Sequence, residues 1–536
     1  MKQANEQRTQ RSTEQATGQP VTAPPQRFNF SRHILALNAD RPHKAAYIDD
    51  TCVLTYGELS QRVRRCAAGL LASGVRREER VLLVMHDTVD LPVAFLGALL
   101  AGIVPVPVNT LLPSDDYAYM MEHSNARVVI VSAPLLACVQ EAQGKVDTRL
   151  EVIVSGSTQA LDGVPTFVDL LQTEPLELRA GADTHADDFA FWLYSSGSTG
   201  RPKGTVHSHA NLFWTAELYG KPILGITADD TVFSVAKLYF AYGLGNGLTF
   251  PLSVGATTVL MAERPTPQAV FKRLTQHKPT IFCGVPTLYV GMLASDALPA
   301  KADVAMRVCT SAGESLPREV GERFEQHFGC EILDGLGSTE MLHIFISNRP
   351  GSVCYGSSGR AVPGYELELR DENNRCVAVG EVGDLYVRGP SSALLYWTNR
   401  EKSRATFIGD WLKSGDKYTV DAQGHFIYAG RSDDMLKVSG QYVSPVEVEN
   451  TMIGHPGVLE CAVVGKSDGH GLTTTVAYVV AASGHAPTQE LAAELKAFVK
   501  SRLAPHKYPR EILFIDELPK TATGKIQRFK LRALLV

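Results

Sequence analysis

Short, uninterrupted apolar runs alternate with segments of helical spacing through most of the first 330 residues, and this limits the fold more than any other feature. The runs at 80–85 (RVLLVM), 128–131 (VVIV) and 152–154 (VIV) carry no polar residue after the leading arginine. Residues 56–73 instead place apolar side chains three and four apart. Strands that are apolar on both faces and separated by helices make parallel sheets covered by helices. The pattern resumes over 231–331. From about residue 359 it changes to short, glycine-punctuated strands at 366–369, 383–388 and 425–428, which predict a small β subdomain. A charged turn at 431–434 opens a module of about 100 residues. Strands are predicted there at 460–465 and 473–480, with a helix near 488–503.

Composition excludes several classes. The chain has 536 residues, 44% hydrophobic and 20% charged, with a formal net charge of -5. Without a basic surplus, neither nucleic acid nor an anionic membrane is an expected partner. Nine cysteines, an odd number with no C-x-x-C pair, predict reduced thiols in the cytoplasm and neither a zinc site nor a disulfide framework. Residues 1–26 are polar, rich in Gln and Thr, and predict a disordered tail, neither signal peptide nor anchor. Residues 91–108 carry no charge and are just long enough to span a bilayer. Pro105 and Pro107 would break a continuing helix, so a buried helix over 92–101, a turn at Gly102 and a short strand are predicted.

The sharpest chemical signal is WLYSSGSTGRPKG at 192–204. An apolar strand, 189–194, runs into a loop of hydroxyls (Ser195, Ser196, Ser198, Thr199), glycines (Gly197, Gly200) and one lysine, Lys203. Glycines let backbone N–H groups close around an anion, and the lysine adds a fixed positive charge. The spacing is not that of a Walker A loop. A flexible serine–glycine connector is the bland alternative, but a linker has no reason to set Pro-Lys-Gly so soon after a buried strand.

This stretch resembles the phosphate-binding loop of the adenylate-forming superfamily: acyl-CoA synthetases, amino-acid adenylation domains and luciferases. Further motifs of that superfamily follow in order. CTSAGESL at 309–316 looks like the adenine-side loop, DGLGSTE at 334–340 like the aromatic-G-x-T-E element, and KSGD at 413–416 like the ribose motif. GRSDDM at 430–435 looks like the interdomain hinge, 437–447 like the loop after it, and PKTATGKIQR at 519–528 like the C-terminal lysine motif. The resemblance implies an α/β fold: a large N-terminal domain of two αβα-layered sheet subdomains plus a small β-barrel-like subdomain (27–430), a hinge at 431–434, and a small mobile α+β C-terminal domain (435–536). It implies ATP and coenzyme A as co-substrates and Mg²⁺ as cofactor. Lys525, Thr339, Glu340 and Lys203 are then catalytic, with Glu340 on the metal. Gly313, Glu314, Asp334, Gly335, Asp416 and Arg431 join the loop in binding ATP. Leu336 departs from the pattern, since an aromatic residue usually precedes that glycine, so adenine stacking rests on one face or is supplied elsewhere.

The chemistry is coherent. A carboxylate is a poor electrophile, and its attack on the α-phosphate of ATP makes a mixed anhydride with AMP as leaving group. Two anions must meet, so the site must neutralise charge. For the second half-reaction the resemblance implies rotation about Asp433, which withdraws Lys525 and brings in Lys437 and Gly440 beside the pantetheine arm. The stretches AKLYFAYGLGNG at 236–247 and MLHIF at 341–345 are similar to benzoate–coenzyme A ligases. That resemblance implies an acid pocket of Ala241, Tyr242, Gly337, His343 and Ile344, suited to a planar ring. Core packing is the plain alternative for Tyr242 and His343, as a solvated surface charge is for Lys525 and Arg431. Competing activities are a medium-chain or hydroxybenzoate ligase, an amino-acid adenylation module, a luciferase-like oxygenase, or a catalytically dead nucleotide-binding scaffold. No acidic residue near Ala241 is evident to pair with an amino group. The partners implied are small molecules only, bound by a monomer or homodimer.

Overall fold

The structure, a computed structural model, describes residues 21–147, 150–157, 163–197, 200–432, 434–438, 441–467, 473–504, 506–520 and 526–535. Of the predicted tail, residues 1–20 fall outside this set, whereas Val21 packs against a buried core and the Gln26 carbonyl accepts from Ala186 N at 2.9 Å.

The alternating pattern builds two sheets. A four-stranded parallel sheet runs Val104–Pro107, Arg80–Val84, Ala126–Ser132, Glu151–Ser155. A nine-stranded sheet has parallel strands at its centre (Thr231–Ser234, Ile281–Gly284, Val308–Ser311, Ile332–Gly337) and antiparallel strands at both edges. Pro105 and Pro107 are tolerated because their strand is the outermost of its sheet. Val104 N and Val108 N donate to Glu79 O and Leu83 O, so the intervening prolines point away from the ladder.

The uncharged segment forms the buried helix Asp90–Leu100, beginning two residues before the predicted start, and Gly102 turns the chain at φ 72°. Among the described residues no helix is long and apolar enough to cross a membrane. Helix Tyr56–Ala72 packs on Asp90–Leu100 and starts at a capping box, with Glu58 N donating to Thr55 Oγ1 and Thr55 N to Glu58 Oε2. All nine cysteines are free.

Five antiparallel strands, including Glu366–Arg370, Gly383–Arg388, Trp411–Val420 and Phe426–Arg431, form the predicted β subdomain. Its ladder does not close into a ring among the described residues. The last segment has its own three-stranded sheet (Val458–Ser467, Thr473–Ala481, Glu511–Phe514) and helices Pro445–Ile453, Gln489–Lys500 and Arg528–Ala533, around separate apolar clusters. Arg528 ties that segment together through Glu449 Oε2 at 2.7 Å.

At Gly97 the helices Tyr56–Ala72 and Asp90–Leu100 approach closely. A Cβ there would lie 2.7 Å from both Cβ and Sγ of the buried Cys66. Gly97→Val should therefore lower stability by about 1–3 kcal/mol, the usual range for overpacking. Differential scanning fluorimetry would read this as a lower melting temperature, and an unchanged midpoint would contradict the close contact.

Candidate active site

The apolar strand Phe189–Gly197 returns antiparallel as Gly200–Ser208, and Leu395–Tyr396 pairs on the outer side of the return. The sequence predicts a loop after Tyr194. Instead the ladder continues through Ser195 and Ser196 and closes with Gly197 opposite Gly200. Ser198 and Thr199 lie outside the described residues. The register sets Ser195 directly opposite Lys203.

Lys203, Tyr396 and Glu340 meet beside this hairpin. Tyr396 Oη donates to Glu340 Oε1 at 2.7 Å, and Ser195 Oγ reaches the same oxygen at 3.5 Å. The Lys203 ammonium stands 4.5 Å from the Tyr396 ring centroid. Burial lowers the Lys203 pKa, Glu340 opposes that shift, and Lys402 and Arg431 reinforce it. Burial, aided by Glu340, raises the Tyr396 phenol well above its ordinary value, so it stays a donor.

The backbone at Thr339 is fixed from below. His207 Nε2 lies 2.8 Å from the Thr339 carbonyl, which can only accept, so that nitrogen carries the proton. His207 stacks on Phe191 at 5.1 Å, and burial pushes its pKa down to about 3. Ala393 N donates to the Glu340 carbonyl at 2.7 Å.

Asp334 and Gly335 sit on the neighbouring strand. Asp334 is buried beneath the predicted adenine loop and accepts from Leu316 N at 3.4 Å. Burial pushes its carboxyl up to about 8, so it is protonated at neutral pH. Gly313 has φ 98° and open space around it, and Glu314 follows it, half-buried. Leu336 is half-buried opposite Ile346. Asp416 pairs across strands with Arg431, whose Nη1 donates to Asp416 Oδ1 at 2.9 Å. Asp416 in turn raises the arginine pKa.

Beyond Glu340 the chain enters an aromatic cluster. His343 lies 5.6 Å from the Tyr242 ring, 4.6 Å from Phe250 and 5.1 Å from Tyr219. Burial pushes His343 down to about 3. Tyr242 Oη bonds Thr310 Oγ1 at 2.5 Å. Gly337 is paired with the buried Ile344, and a Cβ on it would lie 2.7 Å from the His343 carbonyl. Ala241 is buried at the start of a short helix, Ala241–Leu244. Sequence reasoning missed Tyr396, His207, Thr310, Tyr219 and Phe250, since each is distant in sequence from the group it touches. Asp433, Gly440 and Lys525 lie outside the described residues, and only the backbone of Lys437, paired with Tyr442, is placed.

A family model for AMP-binding enzymes matches residues 36–397, and one for the AMP-binding enzyme C-terminal domain matches 447–525. The chain belongs to the AMP-binding enzyme family. It is 54% identical to a benzoate–CoA ligase of Thauera aromatica over 518 residues, 96% of this chain and 97% of that protein. A solved benzoate CoA ligase from Burkholderia xenovorans LB400 is 62% identical, with a TM-score of 0.89, over 94% of this chain and all of that one. An anthranilate CoA ligase in complex with anthranoyl-AMP is 40% identical, with a TM-score of 0.91, over 96% of this chain and 98% of that one.

Because Asp334 holds its proton to about pH 8 when folded but ionises near the ordinary carboxyl value of 3.8 when unfolded, it disfavours folding increasingly as pH rises between the two. Asp334→Asn removes this liability. The melting-temperature difference, variant minus wild type, should grow from pH 5 to pH 8, and a difference independent of pH would contradict the assignment.

Proposed function

We propose that the protein is an ATP-dependent benzoate:coenzyme A ligase that works through benzoyl-adenylate and releases AMP and diphosphate. The observation that carries this reading is the meeting of Lys203, Tyr396 and Glu340 between the glycine-rich hairpin and an aromatic cluster that begins three residues later at His343. Full-length similarity to benzoate–CoA ligases supports it.

In the first half-reaction a benzoate oxygen attacks the α-phosphorus and diphosphate leaves. The approach of two anions is unfavourable in water and is eased by fixed cations in a desolvated site. Lys203, steadied over the Tyr396 ring, faces the phosphates with Arg431, while the Ser195–Gly200 hairpin supplies N–H and hydroxyl donors. Thr339, its carbonyl fixed by His207, contacts the α-phosphate. Gly313, Glu314, Asp334 and Gly335 border the adenine, and Asp416 accepts from the ribose hydroxyls. The donor set suits magnesium. Glu340 offers one carboxylate, and among the described residues no three His, Cys, Asp or Glu side chains form a cage. Glu340 would hold the ion, which would supply positive charge to the phosphate oxygens. The ring of the acid rests among Ala241, Tyr242, Gly337, His343 and Ile344.

The chain then divides at 431–434 into an adenylating domain, 27–430, and a mobile domain, 435–536, that pivots at Asp433. Lys525 bridges the acid and the α-phosphate in the first step and withdraws in the second, when Lys437 and Gly440 border the pantetheine arm. The enzyme acts in the cytoplasm, as a monomer or homodimer.

Coenzyme A-dependent AMP release across a panel of acids tests the substrate. Benzoate and its small ring-substituted analogues should exceed acetate and hexanoate in kcat/KM by about 100-fold or more, since an aromatic site loses most of its contacts with either. A preference for the aliphatic acids would overturn the assignment. Lys525→Ala should cut benzoate-dependent ATP–diphosphate exchange by about 100-fold or more. It should leave thioester formation from supplied benzoyl-AMP little changed, whereas equal loss in both would remove Lys525 from its role.

A further inference from the structure

We propose that Tyr119 and His123 are positioning residues for the triphosphate of ATP, acting by bracing both strands of the Phe189–Ser208 hairpin. The inference rests on the adenylation reading above. Both side chains leave the last turns of helix Ser114–Ser124, four residues apart, and their rings stack at 5.1 Å and 27°. Each ring holds one strand. Tyr119 Oη donates to the Pro202 carbonyl at 3.1 Å, and His123 Nδ1 lies 2.8 Å from Tyr194 Oη. The second imidazole nitrogen is also engaged, with His123 Nε2 3.0 Å from Thr398 Oγ1.

The braced positions are next in sequence to the ones that matter. Tyr194 precedes Ser195, Pro202 precedes Lys203, and Ser195 and Lys203 face each other across the ladder. The hairpin gains little rigidity from its own sheet, because the only further strand among the described residues, Leu395–Tyr396, is two residues long. A two-stranded ribbon is only marginally rigid by itself. The contacts continue on the far side. Trp397 N donates to Gly204 O at 2.8 Å, and a Cβ on Gly204 would stand 3.4 Å from His123 Cε1. Thr398 sits at φ 51°, a conformation costly for a β-branched residue, which sends its hydroxyl to the imidazole. Ordinary surface packing would not need both nitrogens of one histidine, a strained threonine and a hydrogen bond to each strand. The groups themselves stay clear of the proposed reacting atoms, so their effect passes through Ser195 and Lys203. Displacements near 1 Å at such groups commonly cost large factors in rate.

His123→Ala tests this in the full-length enzyme. Its KM for ATP should rise about tenfold, the size expected for a lost buried hydrogen bond. The KM for benzoate and the rate of thioester formation from supplied benzoyl-AMP should stay within about twofold. His123→Gln, which keeps a donor and an acceptor, should recover part of the ATP effect. Equal losses in both half-reactions, or an unchanged KM for ATP, would overturn the brace. Should His123→Ala fail to fold, Tyr119→Phe removes a single hydroxyl and must shift the same constant in the same direction. Calorimetric titration with ATP alone separates this inference from the reading beneath it. Wild-type protein that binds ATP but shows no benzoate-dependent exchange would refute the ligase reading, and equal ATP affinity in wild type and His123→Ala would refute the brace.

Discussion

One constraint orders the site: Lys203 must keep its charge in a half-buried place. Burial costs the Lys203 charge, and the nearby Lys402 and Arg431 add to that cost. Glu340 relieves part of that cost, and Tyr396 keeps Glu340 in place by a 2.7 Å hydrogen bond while presenting its ring to Lys203. On the ligase reading proposed above, the triphosphate of ATP would relieve the remainder.

The surrounding structure keeps these groups in register. The antiparallel ladder fixes Ser195 against Lys203, and Leu395–Tyr396 joins the same ladder, so Tyr396 arrives beside the lysine through backbone pairing. Across the gap, strand Ile332–Gly337 delivers Thr339 and Glu340, and the neutral His207 ties that turn back to the hairpin. Arg80 lies 5.7 Å from Trp192 and 5.6 Å from Trp397, which links the four-stranded sheet to both hairpin partners.

Much of this was legible in the sequence, for physical reasons. Unbroken apolar runs such as 128–131 can only be strands buried on both faces, and they are. Pro105 and Pro107 excluded a membrane helix correctly, because a proline needs an unpaired backbone position and the outermost strand supplies it. The hydroxyl, glycine and lysine composition of 195–204 suggested an anion site. It could not reveal that the segment is a paired ladder, since strand pairing depends on a partner and composition reads only the segment itself. Tyr396 and Thr310 were illegible for a related cause. Each works through one hydroxyl delivered across a long sequence separation to Glu340 or Tyr242, and no local pattern encodes such a meeting.

The central claim is that the acid is activated by joining its own oxygen to the α-phosphorus of ATP. Benzoate labelled with ¹⁸O in both carboxylate positions tests this directly. The labelled oxygen that attacks phosphorus leaves with the nucleotide when the thiol displaces it from the acyl carbon. Mass spectrometry of the product should find AMP carrying one ¹⁸O atom per turnover. AMP without label, with the heavy oxygen in diphosphate, free phosphate or only the thioester, would contradict the account.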